Sequence, residues 1–392
     1  MTFAQRPPLH VVQIGFFSDP RRRAPRELLQ SWTTLSDVAQ AACRGGLRVS
    51  VVQASAHSER LECNGVHYYF GPFGHAAATS RQALADLLRE LGPDVLHVHG
   101  LDFPREVLSL PQLAPEVPII LQDHASRPPR PWRRWLWRRS IGAAAGVAFC
   151  AIDQAQPFAH AGLLRAPTRV YEIPESTSHF APGDPTEARQ LTGVEGDPAV
   201  LWVGHLDTNK DPLTVLAGVS AAIRQLPRLR LYCCFGAAPL LPQLQQLIAS
   251  DPALRQGVTL LGRVPHERVE QLMRAADIFV LGSHREGSGY ALIEALACGL
   301  PPVVTDIPSF RALTGRGAVG ALWPCGDAPA LAAALQKAAA RGGAATRAAV
   351  RGHFERELSS VALGAKLAAM YADVTERGRS TPKAECALHQ SA

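Results

Sequence analysis

The sequence predicts an α/β protein built from two doubly wound parallel-sheet domains, and three observations carry that reading. A chain of 392 residues is longer than a single hydrophobic core usually organises. Apolar runs of strand length alternate with segments of helical periodicity, and strand–helix–strand at this spacing is the unit of a parallel sheet. The alternation is broken by ESTSHFAPGDP at 175–185, whose composition suits a domain linker.

In chain order, residues 9–17 form the first apolar strand and run into a loop at 15–25. Arg21, Arg22, Arg23 and Arg26 crowd this region, which reads either as a solvated turn or as the lip of a cleft. Leu35, Val38, Ala39 and Ala42 then share one helix face, and Gly45-Gly46 ends that helix. Residues 47–53 are the second strand. Ser80 is placed to cap a helix whose face is Leu84, Leu87, Leu88 and Leu91, with Gly92-Pro93 as its stop. Strands at 94–99 and 117–121 end at His99 and at Gln122-Asp123-His124. Ligands of doubly wound sheets sit beyond the carboxyl ends of the strands, which puts both histidines within reach of one. A lone histidine is more often structural, so position alone gives His99 no role.

The segment from Arg127 to Arg139, RPPRPWRRWLWRR, interleaves arginine with Trp132, Trp135 and Trp137. A helix starting at Trp132 would put Trp132, Trp135 and Leu136 on one face. Either the tryptophans pack into the first core while the arginines solvate its outside, or the segment touches an anionic membrane surface. Residues 146–151 resume the strand pattern, and 170–174 lead into the linker.

The second domain opens with a strand AVLWVG at 199–204, a loop HLDTNKD and a helix from Pro212. Strands follow at 228–235 and 258–261, the latter turning through Gly262-Arg263-Val264, then a helix at 267–275. The most informative stretch is DIFVLGSHREGSGYALIEALACGLPPVVTD, residues 277–306. It reads as strand, glycine-rich loop, short helix 290–298, and strand. The helix is apolar on nearly every side and should be buried. Glu294 is its one charge, and a buried carboxylate needs hydrogen-bond donors. Glu286 precedes the helix. Between the two, Gly287, Ser288 and Gly289 offer bare amides at a helix N-terminus, a place that binds anions. Asp327 caps a later helix, and helices run to about Val374.

This stretch resembles the signature of the retaining glycosyltransferases of family 4, glycosyl transferases group 1, which have the GT-B fold. Their pattern is a Glu, seven residues, a second Glu, then Ala-x-Ala-x-Gly-x-Pro. Here it is carried by Glu286, Glu294, Ala295, Ala297, Gly299 and Pro301. Gly282 departs from the family's frequent proline. The resemblance implies two Rossmann-like domains facing across a cleft: residues 1–174 on the acceptor side and 175–355 on the donor side. A helix at 356–375 would return to the first domain, with a disordered tail at 376–392. It implies transfer of a sugar from a nucleotide-diphosphate sugar to a hydroxyl of a sugar or lipid-linked sugar, in glycan, polysaccharide or glycolipid biosynthesis.

The implied catalytic residues are Glu286, Lys210 and His124, the last facing the donor sugar. Donor-binding positions are Gly204, His205, Lys210, Arg263, Val264, Glu286, Gly287, Ser288, Gly289, Tyr290 and Glu294. Glu286 would bind sugar hydroxyls, Glu294 the ribose diol, and Lys210 with the loop amides the diphosphate. His205 stands where the family has arginine, and a neutral imidazole does not replace a guanidinium fork. No metal and no cofactor beyond the nucleotide-sugar substrate is implied.

Composition agrees with a globular protein: 47% hydrophobic and 19% charged residues. The net charge of +6 suits anionic small molecules or a membrane surface as well as nucleic acid, and the transferase reading expects no nucleic-acid partner. No apolar run is long enough to span a bilayer, and the eight scattered cysteines read as buried free thiols of a cytoplasmic protein. The localisation expected is cytoplasmic, with peripheral membrane contact through Arg127 to Arg139 under the second reading of that segment. Two rivals stand beside the transferase: a noncatalytic nucleotide-sugar-binding protein of the same fold, and an NAD-dependent oxidoreductase. The second lacks a Gly-x-Gly-x-x-Gly after the first strand.

Overall fold

A computed structural model describes residues 7–74, 78–166 and 168–380. The first sheet has eight strands: β1 His10–Gly15, β2 Arg48–Ala54, β3 Glu59–Cys63, β4 Val66–Gly71, β5 Val95–His99, β6 Ile119–Gln122, β7 Gly146–Phe149 and β8 Arg169–Glu172. Their order is β3-β4-β2-β1-β5-β6-β7-β8, parallel except for the antiparallel β3–β4 pair. The second sheet has six parallel strands: β9 Ala199–Val203, β10 Arg230–Cys234, β11 Val258–Gly262, β12 Ile278–Leu281, β13 Pro302–Thr305 and β14 Ala321–Trp323. Its order is β11-β10-β9-β12-β13-β14. Each sheet reverses its winding once, between β1 and β5 in the first and between β9 and β12 in the second. A doubly wound sheet opens its ligand crevice at that reversal. Here the loops after β1, β5, β9 and β12 are the ones so placed.

The strands alternate little between apolar and polar because both faces are covered. β1, β5, β7 and β12 are buried almost throughout. One core fills the second domain on both sides of its sheet. The first sheet has separate cores on its two faces, and one of them contains Leu363, Leu367, Met370, Tyr371 and Val374. These belong to the last helix, Ser360–Ser380, which packs across the Thr33–Arg44 helix of the first domain. The approach is close at Gly364, where a Cβ would stand 2.2 Å from the Ala41 carbonyl oxygen.

Several expectations are corrected. The helix assigned to a Ser80 cap spans Ala78–Leu91, so Ser80 lies inside its first turn. The last helix continues past Glu376 to Ser380, and the rest of the expected tail, 381–392, lies outside the described residues. The thiols are free, but not all are buried, since Cys63 and Cys325 are exposed; Cys386 lies outside the described residues. The linker holds a further helix, Pro185–Thr192, which Asp184 caps through its carboxylate.

The arginine–tryptophan segment folds as a short 3-10 turn at Pro131–Arg133 and a helix at Arg134–Gly142. It divides its tryptophans. Trp137 is 3% exposed and stacks on Phe158 at 6.4 Å, whereas Trp132 and Trp135 are 65% and 58% exposed. Packing of all three into the core is thereby excluded.

Candidate active site

The β9 loop and the β12 loop are stitched into one unit. The His284 amide donates to the Asn209 carbonyl at 2.7 Å, and the Asn209 side-chain amide donates to the Arg285 carbonyl at 2.9 Å. His284 also pairs with Asp211 at 3.1 Å. Asp211 caps the Pro212–Ile223 helix through the Thr214 amide, and Asp207 accepts from the Lys210 amide at 2.9 Å. This bracing delivers the Lys210 ammonium onto the Glu286 carboxylate as an ion pair, with both side chains largely buried. Burial makes such a pair costly unless both members are held, which the stitched loops do.

Beside the pair lies a cavity of about 380 Å³. Gly204, His205, Lys210, Arg263, Val264, Glu286, Tyr290 and Glu294 all line it. Eight donor-binding positions named from the sequence therefore share one hollow. The Tyr290–Ala297 helix is buried along Leu292, Ile293 and Ala295 to Ala297, and turns Glu294 towards that hollow. His205 is fixed by accepting from the Ala237 amide through Nδ1 at 3.1 Å, which leaves Nε2 as its donor. An ammonium, an imidazole N–H, a helix-borne carboxylate and a second carboxylate can hold a ligand with both anionic and hydroxyl groups.

Gly287, Ser288 and Gly289 do not line this cavity; they are buried. Gly287 and Ser288 face Glu175 of the interdomain linker, and Gly289 lies against Phe310. Ser288 Oγ accepts from the Glu175 amide at 2.9 Å, and the Gln154 side chain donates to the Glu286 and Gly287 carbonyls at 2.8 and 3.0 Å. A Cβ on Gly287 would lie 2.1 Å from Glu175 Oε1, so any larger residue there would displace the Glu175 carboxylate.

His124 lies in a different hollow, about 570 Å³, on the first domain. Gly15, Phe17, Trp32, Phe103, His99, His124 and Glu175 contribute to its wall, at the reversal point of the first sheet. His124 donates through Nδ1 to Glu175 Oε2 at 3.0 Å, and its Nε2 meets His99 Nδ1 at 3.2 Å. Tyr290 donates to the same Glu175 oxygen at 3.3 Å. Burial opposes the imidazolium of His124, but the hydrogen bond and charge of Glu175, with Asp123 behind it, outweigh that and raise its pKa. His99 is pushed the other way, well below the usual histidine value, by burial and by the neighbouring rings.

Two residues that touch the side chains of these walls escaped the sequence reading. Glu175 was absorbed into a polar linker, and only its place directly after an apolar strand end marked it. His266, opening the His266–Ala275 helix, reaches Glu294 Oε1 with Nε2 at 2.6 Å and packs its ring, tilted, against Phe180 at 4.7 Å. No local spacing links residues 266 and 294.

Two domains with doubly wound sheets, joined by a linker and tied back by the last helix, are the GT-B arrangement. Residues 32–174 match the family described as Glycosyltransferase Family 4, and residues 197–341 match Glycosyl transferases group 1. The chain belongs to this family of glycosyltransferases. Among its relatives is GDP-mannose:cellobiosyl-diphosphopolyprenol alpha-mannosyltransferase of Xanthomonas oryzae, 28% identical over 58% of this chain and 60% of that one. Another is D-inositol 3-phosphate glycosyltransferase of Geodermatophilus obscurus, 30% identical over 54% of this chain and 50% of its own length. The match thus spans about three fifths of these relatives at most. Among solved structures, sucrose-phosphate synthase of Thermosynechococcus elongatus superposes with a TM-score of 0.69 at 19% identity, covering 94% of this chain and 100% of its own. HepE of Anabaena, solved in complex with UDP, gives 0.65 at 17% identity, over 93% and 100%.

Proposed function

We propose that the protein is a retaining glycosyltransferase that moves a sugar from a nucleotide-diphosphate sugar to a hydroxyl acceptor. The observation that carries this reading is the second-domain cavity, where the Lys210–Glu286 pair and Glu294 share one wall. In this reading Glu294 takes the ribose diol and Glu286 the sugar hydroxyls. Lys210, helped by the Nε2–H of His205, neutralises the charge that grows on the departing diphosphate. Stabilising developing charge in a partly dry site is commonly the largest catalytic term. An ammonium in that place does the electrostatic work of a divalent cation, so the transfer needs no metal.

Support for an activated-sugar donor comes from the names of the relatives, one of which uses GDP-mannose, and from a fold neighbour solved with UDP. That same relative's name gives a polyprenol-linked acceptor. We read a lipid-linked sugar as the acceptor here too, handled from the cytoplasmic face of a membrane in glycan biosynthesis. The exposed Trp132 and Trp135 among arginines support this.

The test is a panel of nucleotide sugars, scored for donor hydrolysis and transfer with and without EDTA. Product from a nucleoside-diphosphate sugar, with the anomeric configuration kept, is expected, and EDTA should not abolish it. Glu294→Ala should weaken nucleotide binding, whereas Glu286→Gln should chiefly lower kcat, by about a hundredfold. Tight nucleotide-sugar binding without turnover under any acceptor would make the protein a binding module instead.

A further inference from the structure

The loop that carries Glu286 is held from both domains, and the two holds meet at that residue. On the second-domain side the His284 amide and the Arg285 carbonyl are bonded to Asn209, and the Glu286 carboxylate pairs with Lys210. Past the Glu286 side chain the anchor changes. The carbonyls of Glu286 and Gly287 both accept from the Gln154 side-chain amide, at 2.8 and 3.0 Å, and among the described residues no other side chain bonds either of them. Gln154 belongs to the first domain. It sits in a short 3-10 turn at Ile152–Ala155, just after β7, and this turn packs against the Pro308–Leu313 helix of the second domain. The turn is itself tied to β8, because the Ile152 amide donates to Glu172 Oε2 at 3.0 Å.

Gln154 is matched to this place by its chemistry. Its Oε1 accepts from the Ala151 amide at 2.9 Å, which orients the group and turns both of its N–H bonds to the two carbonyls. A carboxamide offers one acceptor atom and two donors on a single planar group, and no other side chain does so at neutral pH. Peptide units are planar, so fixing two successive carbonyls fixes two successive planes. The plane after Glu286 sets where its side chain can start, and the carboxylate must then reach Lys210 and the second-domain hollow together.

We propose that Gln154 is a positioning residue for the donor sugar: from the first domain it sets the Glu286 carboxylate in register with the second-domain hollow. The inference rests on the transferase reading above, in which Glu286 holds the sugar hydroxyls. It divides the donor in two. Lys210, His205 and Glu294 are anchored within the second domain, through Asp207, Ala237 and His266, so the nucleotide end of a donor does not need Gln154. The sugar end does. The linker contact at Ser288 lies further along the loop and engages a side-chain oxygen, so it does not replace the hold on the two carbonyls.

Gln154→Ala removes both bonds. Gln154→Glu keeps the shape and an acceptor for the Ala151 amide but sets a carboxylate against two carbonyl oxygens. Titration calorimetry with GDP against GDP-mannose, and with UDP against UDP-glucose, separates nucleotide contacts from sugar contacts. In Gln154→Ala the affinity for the nucleoside diphosphate should stay within about twofold, while the affinity for its sugar form and kcat each fall about tenfold. Gln154→Glu should lose about a hundredfold in kcat, as a displacement of about an ångström can. In a Glu286→Gln background Gln154→Ala should cost little more, because both act through one carboxylate. Independently of any donor, amide hydrogen exchange across residues 286–289 should quicken in both variants while the 205–211 loop keeps its rate. Unchanged exchange in both variants overturns the proposal whether or not a donor is found. Equal losses for diphosphate and nucleotide sugar overturn it too, since they mark a general loosening, and so do fully additive losses with Glu286→Gln. An unmodified protein that turns over no donor, while its exchange responds as expected, counts against the transferase reading and leaves the hold of Gln154 on the loop standing.

Discussion

His266 and Glu294 show how a carboxylate in an apolar helix is kept occupied until a ligand arrives. The hydrogen bond to Glu294 raises the His266 pKa; burial opposes it, and the charges of Glu294, Glu267 and Glu270 add to the rise. A raised histidine pKa means that the charge-assisted bond is complete below the unfolded value near 6.5 and is lost as pH rises through the higher folded value. Above that pH Glu294 is held by a neutral imidazole only, and a ribose diol competes for it more easily. Nucleotide affinity, measured by calorimetry, should therefore rise between about pH 6 and pH 8. His266→Gln should flatten that dependence. If the variant shows the same slope, the pair does not control the ribose site. The counterpart on stability is small, because the imidazole is more than half exposed.

At the scale of elements, the last helix decides whether the first domain has a complete core. Leu363, Leu367, Met370, Tyr371 and Val374 close one face of the first sheet. Gly364 makes the fit possible, since its Cβ position meets the Ala41 carbonyl and the Gly45 amide nitrogen of the facing helix. Gly364→Ala must push two backbones apart and should cost about 1–3 kcal/mol, read as a lower Tm in calorimetry. An unchanged Tm would mean that the helix is not held at this point. Much of this architecture was legible, because apolar periodicity is local and parallel strands buried on both faces read as continuous apolar runs. The β3–β4 hairpin went unread although Asn64-Gly65, both with positive φ, is the turn chemistry that marks one. The second-domain hollow was legible through a motif whose members lie close in sequence. Glu175 and His266 were not, since their partners His124 and Glu294 lie 51 and 28 residues away. Only folding supplies those contacts.

At the scale of the whole molecule, the outer surface of the first domain carries exposed aromatic rings. Trp132 and Trp135 stand in the open, with the Arg130 guanidinium 5.3 Å from the Trp132 ring centre. Arg134 and Arg138 are turned inward to backbone carbonyls, Pro129 and Gly162, so they brace the segment rather than reach away from it. Among the described residues no helix is long and apolar enough to cross a membrane. Attachment through this segment would therefore be peripheral. Exposed indole rings favour the water–lipid boundary, and basic residues near anionic lipid contribute about 1 kcal/mol each, enough together for reversible binding. Three variants separate this role from packing. Trp132→Ser with Trp135→Ser should reduce binding to vesicles of phosphatidylglycerol at low salt while leaving Tm nearly unchanged. Arg130→Gln with Arg133→Gln should do the same and weaken the salt dependence. Trp137→Ala, which empties a packed site against Phe158, should instead lower stability by about 3–5 kcal/mol. A protein that ignores anionic vesicles at low salt would refute membrane contact, and the exposed pair would then need another partner.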